Sequence, residues 1–361
     1  MRETLRAWTE RVETFVLEVI LEERPGKRAA LVRFALFMLS KLFHLIVKAR
    51  RFLYDTRLLR DATLGVQVIA IGNLTVGGTG KTPVAAWLAR ELGLRGHRVG
   101  VVLRGYGGDW SGPPRVVEAD DDAAVVGDEA LLHVRRAPHV VVIGADRAAA
   151  AAIASGRGAD VIVCDDGLQH LALARDFEIV VVDADRGFGN GWMLPAGPLR
   201  EPASRIERVD AMVATHRGGP GAHAPRPRGP WTVEARLVPG AAVNIASGER
   251  RDLVSFRGGR VHALAAIGNP AQFFEALAAR GLEFDAHALP DHSALDPQAL
   301  PWPAGATVLM TEKDAVKCAG YAQSGWWYVE LEVELEREAA RDLVSMVLER
   351  TGLTGAGVKL G

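Results

Sequence analysis

The segment Gly72-Asn-Leu-Thr-Val-Gly-Gly-Thr-Gly-Lys-Thr-Pro83 lies between the apolar run Val66–Ile71 and the helix-like stretch Val84–Leu94. A strand, a glycine-rich turn and a helix start in this order form a cradle for phosphate. Backbone N–H groups of the turn point at the anion, and the positive end of the helix dipole favours negative charge. The sequence therefore predicts a site for a nucleoside triphosphate.

Side chains in this segment fit the same chemistry. In such a loop the lysine, here Lys81, reaches the β- and γ-phosphates, and the hydroxyl after it, here Thr82, ligates Mg²⁺. The strict pattern opens with glycine where this chain has Thr75, yet the later glycines keep the backbone permissive. The residues predicted to hold the nucleotide are Gly77, Gly78, Thr79, Gly80, Lys81, Thr82 and Pro83. An ordinary glycine-rich loop is the alternative, and the strand–helix context argues against it.

Composition is that of an ordinary globular protein. The 361 residues are enough for a sizeable core and predict two domains. A formal net charge of −1 argues against a polyanion such as nucleic acid as partner. Two cysteines, Cys164 and Cys318, are too few for a disulfide framework and fit a reducing compartment. Met1–Glu23 lacks a small-residue cleavage site, so no cleavable signal peptide is expected.

Positive charge is concentrated near the N-terminus. The range Arg24–Arg60 holds ten basic residues and one acid, Asp55, and the range Ala29–Val47 is mostly apolar. At about 100° per residue, several of the basic side chains fall within an arc of roughly 80° on a helix. These residues are Arg33, Lys41, His44, Lys48 and Arg51. The pattern predicts a helix with one basic stripe against a broad apolar surface.

Two arrangements of this helix remain open. A membrane-spanning helix needs about 20 predominantly apolar residues, and Arg33 and Lys41 interrupt this one. An amphipathic helix lying in the interface of an anionic membrane agrees better with the excess of basic residues. The alternative is a helix packed on the protein core with a solvated basic face. We therefore expect association with a membrane surface.

The rest of the chain alternates strands with helices, which is α/β organisation. Apolar runs without alternation are typical of strands buried on both faces of a mostly parallel sheet. The predicted strands are Val66–Ile71, Val99–Leu103, Val140–Ile143, Val161–Cys164, Ile179–Val182 and Ala211–Ala214. Helices are expected at Asp128–Arg136 and Arg147–Ala154.

A Pro/Gly-rich linker, Gly218–Pro230, predicts a domain boundary. Two antiparallel strands are expected beyond it, at Trp231–Val238 and Asn244–Phe256. After them α/β alternation resumes, with the strands Val261–Ile267 and Thr307–Met310 and the helices Pro270–Ala279 and Leu335–Arg350.

Two adjacent carboxylates, Asp165 and Asp166, follow the apolar run Val161–Cys164 and open the motif Asp-Asp-Gly-Leu-Gln-His170. Carboxylates at the end of a buried strand are what a P-loop enzyme uses to hold Mg²⁺. An ordinary strand-to-turn segment is the alternative. Together with the phosphate loop, the motif predicts a metal site.

Asp128 and His292 are candidates for proton transfer. Asp128 stands at a predicted helix N-terminus, where it could equally serve as a cap. His292 stands in a loop bounded by proline, where a histidine is more often solvated than catalytic. An aspartate and a histidine in contact could deprotonate a hydroxyl nucleophile, but spacing does not show that these two meet.

Arginines open two glycine-rich turns, Arg104-Gly-Tyr-Gly-Gly108 and Arg186-Gly-Phe-Gly-Asn-Gly191, each after a predicted strand. Phosphate contact and simple turn chemistry are both open for them.

Taken together, the motifs resemble the lipid A tetraacyldisaccharide 4′-kinase family. They occur in the order of that family and span Gly72 to Lys317, most of the chain. They are the phosphate loop, Arg-Gly-Tyr-Gly-Gly108, Val-Gly-Asp-Glu129, Asp-Asp-Gly-Leu-Gln-His170, Arg-Gly-Phe-Gly-Asn-Gly191, Leu-Pro-Ala-Gly-Pro-Leu-Arg-Glu201, Ile-Gly-Asn-Pro270 and Thr-Glu-Lys-Asp-Ala-Val-Lys317.

This resemblance implies an enzyme that transfers the γ-phosphate of ATP to the 4′-hydroxyl of tetraacyldisaccharide 1-phosphate, giving lipid IVA in lipid A biosynthesis. It implies ATP and Mg²⁺ as cofactors and a peripheral position on the cytoplasmic face of the bacterial inner membrane, where the lipid substrate lies. It also implies a P-loop core and a smaller C-terminal α/β lobe joined by a β-stranded hinge. The expected regions are 1–60 (membrane-associating), 61–217 (core), 218–260 (linker and hinge) and 261–361 (lobe).

Site roles follow from the resemblance position by position. Lys81 and Thr82 match the phosphate and Mg²⁺ residues of the family. Asp128 matches its catalytic acid and His292 the partner of that acid, so that Asp128 would accept the hydroxyl proton. The motif that matches the acidic Mg²⁺/ATP motif supplies Asp165, Asp166 and His170, and a further carboxylate near the metal is Glu201.

Two alternatives differ in class from a lipid kinase. One is a membrane-bound partition or targeting ATPase, although such proteins often carry an extra lysine early in the loop, where this chain has Thr75 and Val76. The other is a peripheral membrane scaffold that binds nucleotide without turnover. Replacing Asp128 or His292 separates the kinase from the scaffold, because a kinase then loses turnover and keeps ATP binding, whereas a scaffold loses nothing.

Overall fold

The computed structural model describes residues 26–136, 140–216, 230–290 and 300–353. The α-helices in these residues are α1 (Lys27–Asp55), α2 (Lys81–Leu94), α3 (Ala123–Val126), α4 (Asp128–Arg136), α5 (Arg147–Gly156), α6 (Pro270–Ala279), α7 (Glu312–Cys318) and α8 (Arg337–Thr351). The strands are β1 (Gln67–Gly72), β2 (Val99–Leu103), β3 (Arg115–Val116), β4 (Val140–Ile143), β5 (Val161–Asp165), β6 (Phe177–Asp183), β7 (Ala211–His216), β8 (Trp231–Asn244), β9 (Arg250–Arg251), β10 (Val261–Ala265), β11 (Phe284–Ala288), β12 (Thr307–Thr311) and β13 (Trp326–Leu335).

Within the described residues, all of these strands belong to one sheet. Its order is β11-β10-β12-β13-β8-β7-β6-β1-β5-β2-β4-β3, with β9 paired to β8. From β8 through β7, β6, β1, β5 and β2 to β4, neighbouring strands are parallel. The strands expected at the positions of β1, β2, β4, β5, β6 and β7 are present, with ends that differ by at most two residues, whereas β8 continues past its expected end at Val238 to Asn244. The prediction of an α/β fold with a mostly parallel sheet is confirmed.

Helices cover both faces of the parallel part. Side chains alternate along a strand, so β1 sends Ile69 and Ile71 to one face and Val68 and Ala70 to the other. The first face is covered by α2, α4 and α8. On the second face α5 covers β2, β4 and β5, and α1 packs beside it over β1 and β6. Coverage on both sides explains why these strands read as continuous apolar runs.

The C-terminal strands continue the same sheet. β8 is parallel to β7 and antiparallel to β13, and β13 is followed across the sheet by the parallel set β12, β10 and β11. The predicted division at 61–217, 218–260 and 261–361 stays a prediction. Strand β8 lies in its hinge region, and the linker residues 217–229 lie outside the described residues.

One expected strand, Asn244–Phe256, is wrong. Strand β8 runs from Trp231 through Val238 to Asn244, where the side chain of Asn244 ends it. Its Oδ1 accepts hydrogen bonds from the backbone N–H groups of Ala246 (3.1 Å) and Ser247 (2.9 Å). Such a turn interrupts the ladder, so only the two residues of β9 pair again before a 3₁₀ turn. The strands β11 and β13 and helix α7 were not predicted.

Helix α1 presents its apolar surface outward. Ser40 is buried and donates from Oγ to the carbonyl of Met193 at 2.8 Å, and Phe43 and Val47 pack against the core. Large apolar side chains on the rest of the helix are exposed, among them Leu31, Phe34, Met38, Leu39, Leu42, Leu45 and Ile46. The alternative of a core-packed helix with a solvated basic face is therefore wrong. By length and composition alone, α1 could also cross a membrane.

The basic stripe of α1 does not face outward as one band. Arg51 pairs with Glu201 of the core, with 3.2 Å between its NH1 atom and Oε2. Lys41 stays exposed and lies over the aromatic rings of Phe37 and Trp192, 4.9 Å from each centroid. The periodicity correctly places these residues on one side of the helix. Near the C-terminal end of the helix, however, this side contacts the protein core.

Candidate active site

The phosphate loop occupies residues 73–80, between the end of β1 and the start of α2. Gly80, at the N-terminus of α2, has a φ of +85°, and a Cβ added there would lie 2.6 Å from Leu237 Cδ1. The left-handed φ favours glycine at this position, and a larger residue would also force the Leu237 side chain to shift. Gly77 has a φ of +99° and lies beneath the guanidinium of Arg186, whose NH1 would be 3.3 Å from an added Cβ. The turn is thus built as the sequence predicted.

Neighbouring strands hold the loop from below. Thr215, in β7, donates from Oγ1 to the carbonyl of Thr79 at 2.8 Å. Arg186 donates from NH2 to the carbonyl of Gly78 at 3.0 Å and is itself fixed by Asp183, 3.1 Å away at the end of β6. A cation beside the loop suits a bound anion, so phosphate contact, one of the two roles left open for Arg186, agrees with its position.

Asp165 ends β5 on the face of the sheet that α2 covers. It is 1% exposed, and its Oδ2 accepts a hydrogen bond from His133 Nε2 at 2.9 Å. Burial alone would raise the pKa of Asp165, but the hydrogen bond and charge of His133, the Lys81 ammonium and the Thr82 hydroxyl together lower that pKa below its usual value. The carboxylate is therefore ionised at neutral pH, next to the two residues predicted for phosphate and metal.

His133 is a site residue that the sequence did not reveal. It lies in α4, is fully buried and comes 32 positions before its partner Asp165. A histidine inside an amphipathic helix is ordinarily part of a core, and spacing alone gives no sign of the pairing.

The other predicted metal carboxylates have partners of their own. Asp166 adopts a positive φ of +53° and pairs with Arg200, whose NH1 lies 3.0 Å from Oδ1. Glu201 is 5% exposed and is held by Gln169 and Arg51. In the described part of the chain, no three His, Cys, Asp or Glu side chains are grouped so that they could hold a metal ion. Roles of Asp166 and Glu201 at a metal stay predictions, without support from these contacts.

His170 lies away from the loop. It lies beside Cys164 and Leu173, which belong to the face of the sheet opposite α2. Burial, followed by the charges of Arg147 and Arg50, lowers the pKa of His170 to about 4, so the imidazole is neutral at physiological pH. Its predicted contact with the nucleotide is not supported by this position.

Asp128 begins helix α4 and is 4% exposed. Its Oδ1 accepts a hydrogen bond from the N–H of Glu129 at 2.9 Å. At a rise of about 1.5 Å per residue, Asp128 lies about 7.5 Å along the helix axis from His133. Helix α4 therefore carries the candidate base and the partner of Asp165 on one rigid element. His292 lies outside the described residues, so its pairing with Asp128 stays a prediction.

Helix α4 is tied to the C-terminal strands by ion pairs. Glu129 Oε1 lies 2.8 Å from Lys313 Nζ, and Arg136 forms a two-point pair with Glu312, with 2.8 Å between Nε and Oε1. Both partners lie in α7. The motif Thr311–Lys317 thus contacts α4.

The chain is similar to the known proteins of one family. The family model described as tetraacyldisaccharide-1-P 4′-kinase matches residues 32–349. Proteins named tetraacyldisaccharide 4′-kinase are similar over most of their length. The one from Nitrosococcus oceani is 43% identical over 87% of this chain and 90% of its own. The one from Azoarcus sp. is 45% identical over 88% and 92%, and the one from Pseudomonas aeruginosa is 48% identical over 73% and 77%.

A solved structure shares the fold. The crystal structure of LpxK from Aquifex aeolicus in complex with ATP superposes with a TM-score of 0.77 at 30% sequence identity. The match covers 89% of this chain and 99% of that one, so the two chains share the same overall fold.

Proposed function

The chain belongs to the tetraacyldisaccharide-1-P 4′-kinase family, and from that membership we propose that it transfers the γ-phosphate of ATP to the 4′-hydroxyl of tetraacyldisaccharide 1-phosphate. The product is lipid IVA, and the reaction is a step of lipid A biosynthesis. The observation that carries this assignment is a complete phosphate loop beside an ionised Asp165, in a chain matched to the family from residue 32 to 349.

ATP is the phosphoryl donor in this proposal. The Aquifex aeolicus protein of the same fold was crystallised with ATP. Lys81 and the N–H groups of residues 77–82 would bind the β- and γ-phosphates, and Arg186 would add positive charge from the side of β6. Phosphoryl transfer depends mainly on alignment and charge neutralisation, which is what such a set of groups supplies.

Thr82 and Asp165 fit Mg²⁺. Asp165 Oδ1 is buried without a hydrogen-bond partner in the described residues, and the Thr82 hydroxyl lies close enough to affect the carboxylate. Mg²⁺ commonly takes one or two protein oxygens and completes its shell with phosphate and water, so two protein ligands suffice. When bound, the ion would neutralise charge that develops on the phosphate oxygens. His133 fixes the other carboxylate oxygen and so orients Asp165.

Asp128 is proposed as the base that accepts the proton of the 4′-hydroxyl. Asp128 lies at the N-terminus of α4, where the helix dipole attracts negative charge. Its burial limits competition from water, and α4 holds it at a fixed distance from the Asp165–His133 pair. His292, as the partner of Asp128, would tune its basicity.

Helix α1 is proposed to hold the enzyme on the cytoplasmic face of the inner membrane, as a peripheral protein. Its exposed apolar side chains would enter the interface, and Lys41 and Lys48 at their border would meet anionic headgroups. Trp192, which stacks edge-on with Phe37 at 4.8 Å and is 41% exposed, extends this surface from the core. The acyl chains of the acceptor can then stay in the bilayer during transfer.

The test is phosphate transfer from γ-labelled ATP to tetraacyldisaccharide 1-phosphate in detergent micelles with Mg²⁺. Product labelled at the 4′ position, and absent with Lys81→Ala, supports the kinase. ATP binding without transfer, by folded protein, contradicts it and leaves the nucleotide-binding scaffold. Asp128→Asn separates the chemistry from binding, since it should abolish transfer and keep the Kd for ATP.

A further inference from the structure

Glu201 stands between helix α1 and the phosphate loop. Its side chain is 7% exposed, and both carboxylate oxygens accept hydrogen bonds. Oε1 accepts from Gln169 Nε2 at 2.9 Å, and Oε2 accepts from Arg51 NH1 of α1 at 3.2 Å. The Nε of Arg205 lies 3.6 Å from Oε2. A buried carboxylate with this many donors is held in one position.

Gln169 carries the connection to the loop. The same Nε2 group that donates to Glu201 also donates to the carbonyl of Asn73, the first residue of the phosphate loop, at 3.0 Å. The segment around Glu201 pairs directly with the next loop residues. The N–H of Arg200 donates to the carbonyl of Leu74 at 2.7 Å, and the N–H of Val76 donates to the carbonyl of Pro198 at 2.8 Å. The first half of the loop is therefore bonded to Gln169, Pro198 and Arg200.

Helix α1 contacts this arrangement at two points. Besides the bond from Arg51 to Glu201, Arg50 donates from NH1 to the carbonyl of Gln169 at 3.3 Å. The side chain of Arg51 is only 23% exposed, so this end of α1 packs on the core. The apolar side of the helix, in contrast, is exposed to solvent. The path from α1 to the loop is thus continuous: Arg51, Glu201, Gln169 and the Asn73 carbonyl.

We propose that Arg51, Glu201 and Gln169 are positioning residues for the phosphate loop, through which the seating of α1 on the core sets the affinity for ATP. This inference rests on the proposed function, because it concerns the same nucleotide site. The N–H groups of residues 77–82 must lie within hydrogen-bond distance of the phosphates, and the side chain of Asn73 is bonded to Gly77 and Thr79. A small displacement of Asn73 therefore moves these groups and weakens binding. Loss of the Arg51 charge frees Glu201 to turn toward Arg205 and takes Gln169 with it.

The experiment measures ATP affinity directly, by calorimetry with Mg²⁺ and without lipid, on Arg51→Gln, Gln169→Leu and the double variant. We expect each single variant to raise the Kd for ATP about 5- to 20-fold, and the double variant to do no more than either. The variant Arg51→Lys, which keeps the positive charge, should retain much of the wild-type affinity for ATP that Arg51→Gln loses. The KM for the lipid acceptor should stay within about twofold of wild type, a separation that a general loss of stability does not produce.

Arg208→Gln is the matched control. Arg208 also contacts α1, with 3.8 Å between its NH1 atom and Asp55, but both side chains are more than half exposed and neither bonds to the loop. This variant should leave the Kd for ATP unchanged.

Three results would overturn the proposal. They are an unchanged Kd in both Arg51→Gln and Gln169→Leu, an equal loss in Arg208→Gln, and additive losses in the double variant. If Arg51→Gln does not fold, the comparison of Gln169→Leu and Arg51→Lys with wild type decides. Failure of the proposed function is distinguishable, since wild-type protein would then show no transfer, whatever the variants do.

Discussion

At the residue scale, the proposed role of Asp165 as a Mg²⁺ ligand can be tested by comparing it with another aspartate at the opposite end of strand β5. Asp165→Asn removes the negative charge that would hold Mg²⁺, so we expect kcat to fall at least about 100-fold. Asp160 flanks the other end of β5 and accepts a hydrogen bond from the N–H of Arg98 at 3.0 Å. Asp160→Asn should change kcat little. Equal losses in the two variants, measured by phosphate transfer at saturating ATP, would contradict the assignment.

His170 gives a pH prediction for the same part of the sheet. Its pKa is about 4 in the folded protein against its usual 6.5, because of burial and the nearby arginines. The unfolded chain then binds a proton between these values that the folded protein does not. Stability from this residue is complete above pH 6.5 and is lost as the pH falls toward 4. His170→Gln should therefore lose less stability than wild type between about pH 7.5 and 5, by urea unfolding. Parallel pH profiles would contradict this.

Single residues show where sequence reasoning reaches its limit at this site. Lys81, Thr82 and Asp165 could be predicted because each follows a strand or glycine turn whose pattern is local. His133 and Gln169 could not be, since their roles come from contacts across the sheet, 32 positions from Asp165 and 96 from Asn73. Such contacts depend on which strands become neighbours, and that is not written in the spacing.

At the scale of elements, the pairing of α4 with α7 makes a measurable contribution to stability. Arg136→Ala would leave Glu312, which is 6% exposed, without its two-point partner. Burial of an unpaired carboxylate is costly, and the part of Arg136 that reaches solvent reduces the effect, so we expect a loss of about 2 kcal/mol. The pair of Arg250 with Glu330 has similar geometry, but Arg250 is 58% exposed. Arg250→Ala should cost about 0.5 kcal/mol. Urea unfolding of both variants tests the difference.

Helix α1 shows what periodicity determines and what it does not. The pattern in residues 29–51 predicted a helix with basic residues on one side, and the helix Lys27–Asp55 is present. Which side meets the core depends on its partners, here Met193, Gln169 and Glu201. None of these is visible from the helix sequence, and so the inward direction of Arg51 could not be predicted.

At the scale of the whole molecule, continuity of the sheet was the least accessible feature. The sequence indicated two α/β regions separated by a Pro/Gly-rich linker. The pattern of apolar and polar residues alone gave no reason to expect that their strands form one continuous sheet. Strand β8 joins them because it is parallel to β7 on one side and antiparallel to β13 on the other. Its length of 14 residues, through Pro239 and Gly240, hid this role, since those residues usually end a strand.

The position of the exposed apolar side of α1 on the whole molecule predicts how the protein lies on a membrane. Leu42 lies on the exposed apolar side of α1 and is 54% exposed, so Leu42→Glu places a charge in the proposed interface. Loss of one buried leucine costs about 1.5–3 kcal/mol of transfer free energy, which corresponds to a partition coefficient at least about 10-fold lower. Leu94, at the end of α2, is 73% exposed on another element, and Leu94→Glu is the control.

Sedimentation with anionic phosphatidylglycerol vesicles measures both variants, and transfer in detergent micelles checks that each stays active. We expect the Leu42→Glu protein to be lost from the vesicle pellet and the Leu94→Glu protein to remain in it. Added salt should weaken the binding of wild-type protein, because it screens the attraction between Lys41 and Lys48 and the anionic headgroups. If both variants bind as wild type does, α1 is not the membrane contact, and its apolar side must be covered by another partner. If both lose binding equally, the effect is one of net charge rather than of the α1 surface.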